Sequence, residues 1–450
     1  MSEAPIAGAD SAGDSTRGAV DVRQVIDERP LGGFQKMIIV VCGLIVLLDG
    51  FDAQVMGYVA PALIKTLGLH RPDIGDIIPA GLFGMMIGAL AFGPIADRIG
   101  RRPVLLICPL IFGAGSLLTA TAGSKDALML FRLITGLGMG GAMPNAIALT
   151  AEYMPKRSRA TAVTTMFCGF SIGAAVVGWV AAPVIPAFGW QGVFVIGGIL
   201  PVVITGLSFV LLPESIRFLL RRRARDPRAA RYLKKIAPDA PQGDLILSDE
   251  GARGVFVVKQ LFVAGRKWLT VLLWVMFFAN LLDLYFVNSW MPSIMKDVGL
   301  PDKQAILITT LFQVGGTVGA ILIGRFIDRN VSFRVLAAAY FGAAICVFLI
   351  GESGSSATWL ILTVFAAGFG VIGAQNGANA LAAEVYPTEA RSTGVGWALG
   401  VGRIGSIIGP WLGGQLIGTT PRLFAYATVP LMLAAIAALV AAVIRRDRFA

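Results

Sequence analysis

Twelve separate apolar runs, each close to the 20 or so residues that a helix needs to cross a bilayer, dominate this 450-residue chain. They fall at 37–61, 74–96, 103–122, 128–151, 162–182, 191–212, 268–291, 304–325, 333–351, 357–382, 393–415 and 424–444. In hydrocarbon every backbone N–H and C=O must bond within the structure, so such runs can span only as helices. With 56% hydrophobic and 14% charged residues, no soluble domain of this size could hide its apolar surface. The expected fold is an all-α membrane protein of twelve transmembrane helices.

Orientation follows from the 38 Lys and Arg. Thirty fall in the N-terminal stretch, the even-numbered loops and the C-terminal end, and six, Lys65, Arg71, Lys125, Lys296, Lys303 and Arg422, fall in the odd-numbered loops. Arg132 and Arg403 alone lie inside spans. The positive-inside rule puts both termini in the cytoplasm. The net charge of +11 is then explained by anionic inner-leaflet lipid, with no nucleic acid needed. The polar residues 1–36 read as a disordered cytoplasmic tail without a signal core.

Other function classes find no support. Cys42, Cys108, Cys168 and Cys346 sit singly in four apolar runs and read as packing residues, and the single His70 leaves no histidine cluster for a metal. There is no Walker loop and no nucleophile and base at readable spacing, so neither an enzyme nor a resident cofactor is expected. A monomer is expected.

The chain repeats. EYMPKRSRATAV at 152–163 aligns with EVYPTEARSTGV at 384–395, pairing Glu152 with Glu384 and Arg159 with Arg391. GPIADRIGRRPVLL at 93–106 aligns with GRFIDRNVSFRVLA at 324–337, pairing Asp97 with Asp328 and Arg98 with Arg329. The offsets, 232 and 231, nearly agree. This divides the chain into a first six-helix half (37–212), a basic linker (213–267), a second half (268–444) and a short tail (445–450). Duplicated bundles with a midplane site between repeats are the architecture of alternating-access transporters.

The intramembrane charges show what such a site would handle. Asp49 and Asp52, in VLLDGFDAQ, fall near mid-membrane, where each costs roughly 2.5 to 3.5 kcal/mol. Their i, i+3 spacing puts both on one helical face, and two close carboxylates in a low dielectric are poised to share a proton. They read as a proton site, with Asp283 in the seventh span a third candidate. Arg403, at mid-depth among Gly400, Gly402, Gly405, Gly409 and Gly413, can hold a carboxylate bidentately and keeps its charge. It is the first choice for a substrate anion, the other reading being a permanent pair with Asp283. Arg132, nearer the outer surface, either pairs with Asp52 or draws in anions. Gln54, Asn145, Gln375, Asn376 and Asn379 are candidate cavity amides, and Phe51, Tyr285, Phe286 and Trp397 could stack on a ring.

At the cytoplasmic ends, GPIADRIGRRP at 93–103 carries Asp97, Arg98 and Arg101 between Gly93 and Gly100, glycines that permit close backbone approach. With Glu152 and Arg159, and with Asp328, Arg329, Glu384 and Arg391 in the second copy, these read as latches, bonded in one access state and broken in the other.

The loop GPIADRIGRRP resembles the signature of the major facilitator superfamily. RLITGLGMGGAMPNAIALTAEYMPKRSRA followed by PESIRFL is similar to its sugar-transporter-like branch. LDGFDAQ, GAMPN and GVGWALGVGRIGSIIGP together resemble the aromatic acid:proton symporters. The resemblance spans about residues 30 to 445 and implies two pseudo-symmetric six-helix bundles in a bacterial inner membrane. It implies import of a benzoate-, hydroxybenzoate- or chlorophenoxyacetate-type anion with protons, with Asp49 and Asp52 required for coupling and Arg132 for transport. Asp283 belongs to no motif of that family. The rival readings are a symporter of another organic anion, such as a muconate-like dicarboxylate or haloacid, and a proton-driven exporter, which would leave Arg403 without a purpose.

Overall fold

The computed structural model describes residues 19–449 apart from 224, 240–242, 248–260, 263–265, 330–332, 355, 387–390 and 417–422. The first half holds α2 (Gly33–Leu67), α3 (Arg71–Ile99), α4 (Arg101–Ala120), α5 (Lys125–Tyr153) and α6 (Arg159–Leu211). The second holds α9 (Lys267–Asp297), α10 (Asp302–Arg329), α11 (Phe333–Glu352), α12 (Ala357–Val385), α13 (Arg391–Leu416) and α14 (Leu423–Phe449). The 53-residue α6 contains two of the expected runs, divided where Gly189 adopts φ 72. Only a residue without a Cβ takes that conformation freely. With that division, the chain has twelve spans.

Glycines set the packing within each half. In the first, Gly169 and Gly173 of α6 lie on the backbone of Gly43 and Leu47 in α2, and Gly84 and Gly88 of α3 on Leu133 and Leu137 in α5. In the second, Gly405 and Gly409 of α13 lie on Phe278 and Leu282 in α9, and Gly315 and Gly319 of α10 on Phe365 and Phe369 in α12. These are equivalent helix pairs in the two repeats. Where lipid offers no hydrophobic drive between helices, small residues let backbones approach closely.

The halves meet at the end away from the termini. Arg71 donates to Asp297 at 2.6 Å, the Tyr58 and Thr310 hydroxyls lie 3.3 Å apart, and a Cβ on Gly75 would stand 2.9 Å from Gly414 Cα. One apolar core runs through both halves there, including Val59, Ile74, Ile77, Trp290 and Met291. At the other end a second core, around Ile38, Leu105, Leu149, Met154 and Leu219, is built from the first half and the linker without a side chain from α9 to α14. Among the described residues the two halves share a core at the far end, and the core at the end that carries the termini holds residues of the first half, the N-terminal segment and the linker.

Residues 19–28, read from sequence as tail, are ordered. Strand β1 (Ala19–Asp21) pairs in parallel with β2 (Asp244–Ile246) of the linker, and α1 (Val22–Glu28) follows, capped by Asp21. Val22 and Ile26 are buried, and Arg23 donates to the Glu152 and Met154 carbonyls at 3.3 and 3.4 Å. The linker helices α7 (Ile216–Arg222) and α8 (Pro227–Ile236) bury Ile216, Leu219, Leu233 and Ile236. Their apolar faces pack on the first half.

Candidate functional site

The paired acids have different surroundings. Asp52 accepts two hydrogen bonds from Arg132, Nη1 to Oδ1 at 2.5 Å and Nη2 to Oδ2 at 2.6 Å, with the two residues only 3% and 5% exposed. This is the bidentate geometry that matches a guanidinium to a carboxylate. The Arg132 guanidinium also lies against Gly81 of α3, where a Cβ would stand 3.2 Å from Nη2. Of the two roles open to Arg132 from sequence, the structure places it in the pair.

Asp49, one turn earlier on α2, is equally buried, yet its Oδ1 has no hydrogen-bond partner. A void of about 10 Å3 beside it, lined by Ile45, Cys108, Phe112, Met139 and Ala142, is about the size of one water. Arg403 of α13, in the other half, lies within electrostatic reach of Asp49.

Arg403 is half-buried, and its guanidinium makes a single hydrogen bond, Nη1 to the Tyr285 hydroxyl at 3.3 Å. Among the described residues no carboxylate pairs with it. Asp283 is fully buried with both carboxyl oxygens unpartnered, so the alternative of an Arg403–Asp283 pair is not present. The glycines around Arg403 mostly serve helix packing. Gly402, Gly405, Gly409 and Gly413 seat α13 on Leu281, Phe278, Leu282 and Trp290, and only Gly400 faces open space.

The amides largely bond among themselves. Asn280 donates to Gln375 at 2.6 Å, Gln375 to Asn379 at 3.4 Å, and Gln313 to Asn288 at 2.8 Å. Asn145 and Asn376 donate to carbonyls one turn back, Gly141 and Ile372. Gln54 is buried on α2 with no hydrogen bond described. Phe51 and Phe286 are packed core residues, Phe51 against Gly197 and Phe286 against Gly413. Trp397 is 44% exposed and stacks on Trp274 at 5.8 Å. Tyr285 alone of the four aromatics touches Arg403. Its hydroxyl, not its ring, makes the contact, and nothing in the sequence pattern singled that out.

At the termini end, Arg101 ion-pairs with Glu152, which also accepts from Ser215 Oγ. Glu214 accepts from the Arg101, Arg102 and Ser215 amides at 2.9, 3.2 and 2.8 Å, and its carbonyl accepts from Tyr153. The φ of Gly100 is 103, and a Cβ there would collide with the Glu214 carboxylate. Gly93 has open space around it, contrary to the expected close approach. Asp97 and Arg98 are exposed and make no bond among the described residues, and Arg159 is half-buried with Nε unpartnered. The side chains of Asp328, Arg329, Glu384 and Arg391 lie outside the described residues. Glu214 and Ser215, missed as latch residues, belong to the PESIRFL stretch that follows α6.

Comparison with known proteins decides the family. The sequence profile described as Major Facilitator Superfamily matches residues 42–276 and again 273–450. The chain belongs to the Major Facilitator Superfamily. Within the superfamily it groups with the aromatic acid transporters. It is 42% identical over 424 residues to the gallate transporter of Pseudomonas putida, covering 93% of this chain and 94% of that protein. It is 41% identical over 412 residues to the 4-hydroxybenzoate transporter PcaK of P. putida, covering 90% and 92%. The fold is that of a solved superfamily member, the xylose transporter XylE of E. coli in a partially occluded inward-open conformation. That comparison has TM-score 0.71 and 18% identity, covering 93% of this chain and 98% of that one. The protein is a multi-pass membrane transporter and not an enzyme.

Proposed function

We propose that this protein imports an aromatic carboxylate together with protons across a bacterial inner membrane, by alternating access of the 37–212 and 268–444 halves about the 213–267 linker, with both termini cytoplasmic. The observation that carries this reading is Arg403, a mid-depth guanidinium held by one tyrosine hydroxyl and by no bonded carboxylate. A fixed cation in that position is a receptor for an anion. The gallate and 4-hydroxybenzoate transporters among the relatives support an aromatic acid as that anion.

The proton enters the mechanism through competition. Asp52 is neutralised by Arg132, while Asp49 acts on Arg403. An ionised Asp49 and a substrate carboxylate therefore compete for the same guanidinium. A proton on Asp49 removes a buried charge whose Oδ1 has no partner and frees Arg403 for the substrate. With the proton and the anion bound together, the site is close to neutral and the halves can rock at lower cost. Loss of the proton to the cytoplasm returns the carboxylate to Arg403 and expels the substrate. Asp283 is a third buried acid, without a cation beside it, and fits the neutral form throughout.

The test is uptake of radiolabelled 4-hydroxybenzoate into proteoliposomes with and without an inward proton gradient. Accumulation above the outside concentration that requires the gradient is expected for the wild type. In Asp49→Asn, exchange should persist while accumulation is lost. Gradient-independent accumulation by the wild type would overturn symport.

A further inference from the structure

A second cavity, of about 250 Å3, lies at the termini end of the first half, away from the midplane. Its polar lining is Arg23, Arg101, Arg159 and Arg217 with one acid, Glu152, and its apolar lining includes Val22, Ile26, Ile216 and Leu247. The charges do not cancel. Glu152 is committed to Arg101 and Ser215, Arg23 reaches Asp27 at 3.6 Å, and Arg159 and Arg217 have no bonded partner among the described residues. Arg159 Nε is buried without any hydrogen-bond acceptor. A donor left so inside a protein costs about 1–3 kcal/mol, which an acceptor bound in the cavity would offset.

From this geometry we infer that the cavity is a regulatory binding site for a small organic anion, with a carboxylate for Arg159 and Arg217 and an apolar body for Val22, Ile26, Ile216 and Leu247. The volume falls below the 300–1,000 Å3 of sites for drug-sized ligands, which sets the ligand's size. The apolar side of the lining favours a carboxylate on a hydrocarbon frame over an inorganic ion. Two of the walls are not part of the helical bundle: α1 brings Val22, Arg23 and Ile26, and Leu247 follows β2, with β1 and β2 hydrogen-bonded to each other. The third wall is the Arg101–Glu152 pair and Arg159. An occupant would therefore join the N-terminal segment and the linker to the helix ends of the latch, and would hold that end of the first half in its present arrangement. None of these residues belongs to the midplane site, so the two sites stand or fall separately.

The experiment counts bound radiolabelled benzoate per full-length chain, in nanodiscs of phosphatidylcholine that carry no anionic lipid, for wild type, Arg403→Ala, Arg217→Gln and the double variant. Arg217 is half-buried and bonds to nothing described, so its replacement leaves the melting temperature unchanged. Two equivalents are expected for the wild type, one for each single variant and none for the double. A midplane site that does not depend on Arg403 would instead leave two equivalents in Arg403→Ala and one in Arg217→Gln, which supports this cavity and contradicts the transport reading. One equivalent in the wild type, unchanged by Arg217→Gln, overturns the cavity site. Leu247→Asn should weaken benzoate at the second site at least threefold. Inorganic phosphate, or vesicles containing phosphatidylglycerol, displacing benzoate from that site at equal or lower concentration would overturn the assignment to an organic carboxylate.

Discussion

Arg132 and Arg403 are the two cations inside spans, and the structure puts them to opposite uses. Arg132 is 5% exposed, bonded twice to Asp52 and pressed against Gly81. Arg403 is half-buried, bonded once to a neutral hydroxyl at 3.3 Å, and lies within electrostatic reach of Asp49 in the other half. A guanidinium paired with a buried carboxylate can organise a helix interface, and one without a carboxylate partner can take a ligand. Sequence depth alone could not separate these roles, because both residues sit in apolar runs rich in glycine.

The largest effect should come from breaking the closed pair. Arg132→Ala leaves Asp52 buried and unmatched, and removing one partner of such a pair costs about 3–5 kcal/mol. Thermal melting of the purified protein should register that loss, and Asp52→Asn combined with Arg132→Gln should recover part of it. Equal melting of Arg132→Ala and wild type would remove the distinction between the arginines. Next is Arg403→Ala, which should lower 4-hydroxybenzoate uptake about 100-fold, equivalent to about 2.7 kcal/mol, with little change in melting. Arg403→Lys keeps the charge and loses the fork, so an intermediate loss of about tenfold is expected.

Tyr285→Phe removes the one hydrogen bond that orients Arg403. A neutral bond of this kind contributes about 0.5–1.5 kcal/mol, so KM should rise roughly threefold to tenfold with the maximal rate little altered. The smallest effect belongs to Arg71→Gln, which loses a partly exposed ion pair to Asp297 at the closed end. Exposed pairs contribute about 0.2–1 kcal/mol. Spin labels at that end should show a modest rise in the open population, greater at low than at high salt.

Much of the fold was legible because bilayer physics leaves few choices. The apolar runs became spans, and the repeat at offsets 231 and 232 became two halves with equivalent helix pairs. Ordering of residues 19–28 was not legible, since it depends on a parallel pairing with residues 244–246, more than 200 positions away. The site was legible as a set of charges and not as a set of bonds. Asp49 and Asp52 read alike on one helical face, and only the position of α5 makes Asp52 the partner of Arg132. Of the five glycines near Arg403, four meet α9 and Gly400 faces open space, a division that sequence does not show because close helix packing and cavity lining draw on the same residue. Glu214 was hidden for a different reason: its carboxylate accepts from the Arg101 and Arg102 backbone amides at the α3–α4 turn, and backbone donors leave no pairing pattern in sequence, while Ser215 donates to Glu152 from the same stretch.

The account turns on competition between Asp49 and the substrate for Arg403, and the most direct test is KM for 4-hydroxybenzoate exchange across pH 5–8 in wild type and Asp49→Asn. Rising pH removes the proton from Asp49, returns its charge to Arg403 and weakens substrate binding. The wild-type KM should therefore climb as pH rises, by up to tenfold per unit once Asp49 titrates, and the KM of Asp49→Asn should stay low and flat. An Asp49→Asn protein that exchanges substrate with the wild-type pH profile would show that Asp49 does not compete for Arg403.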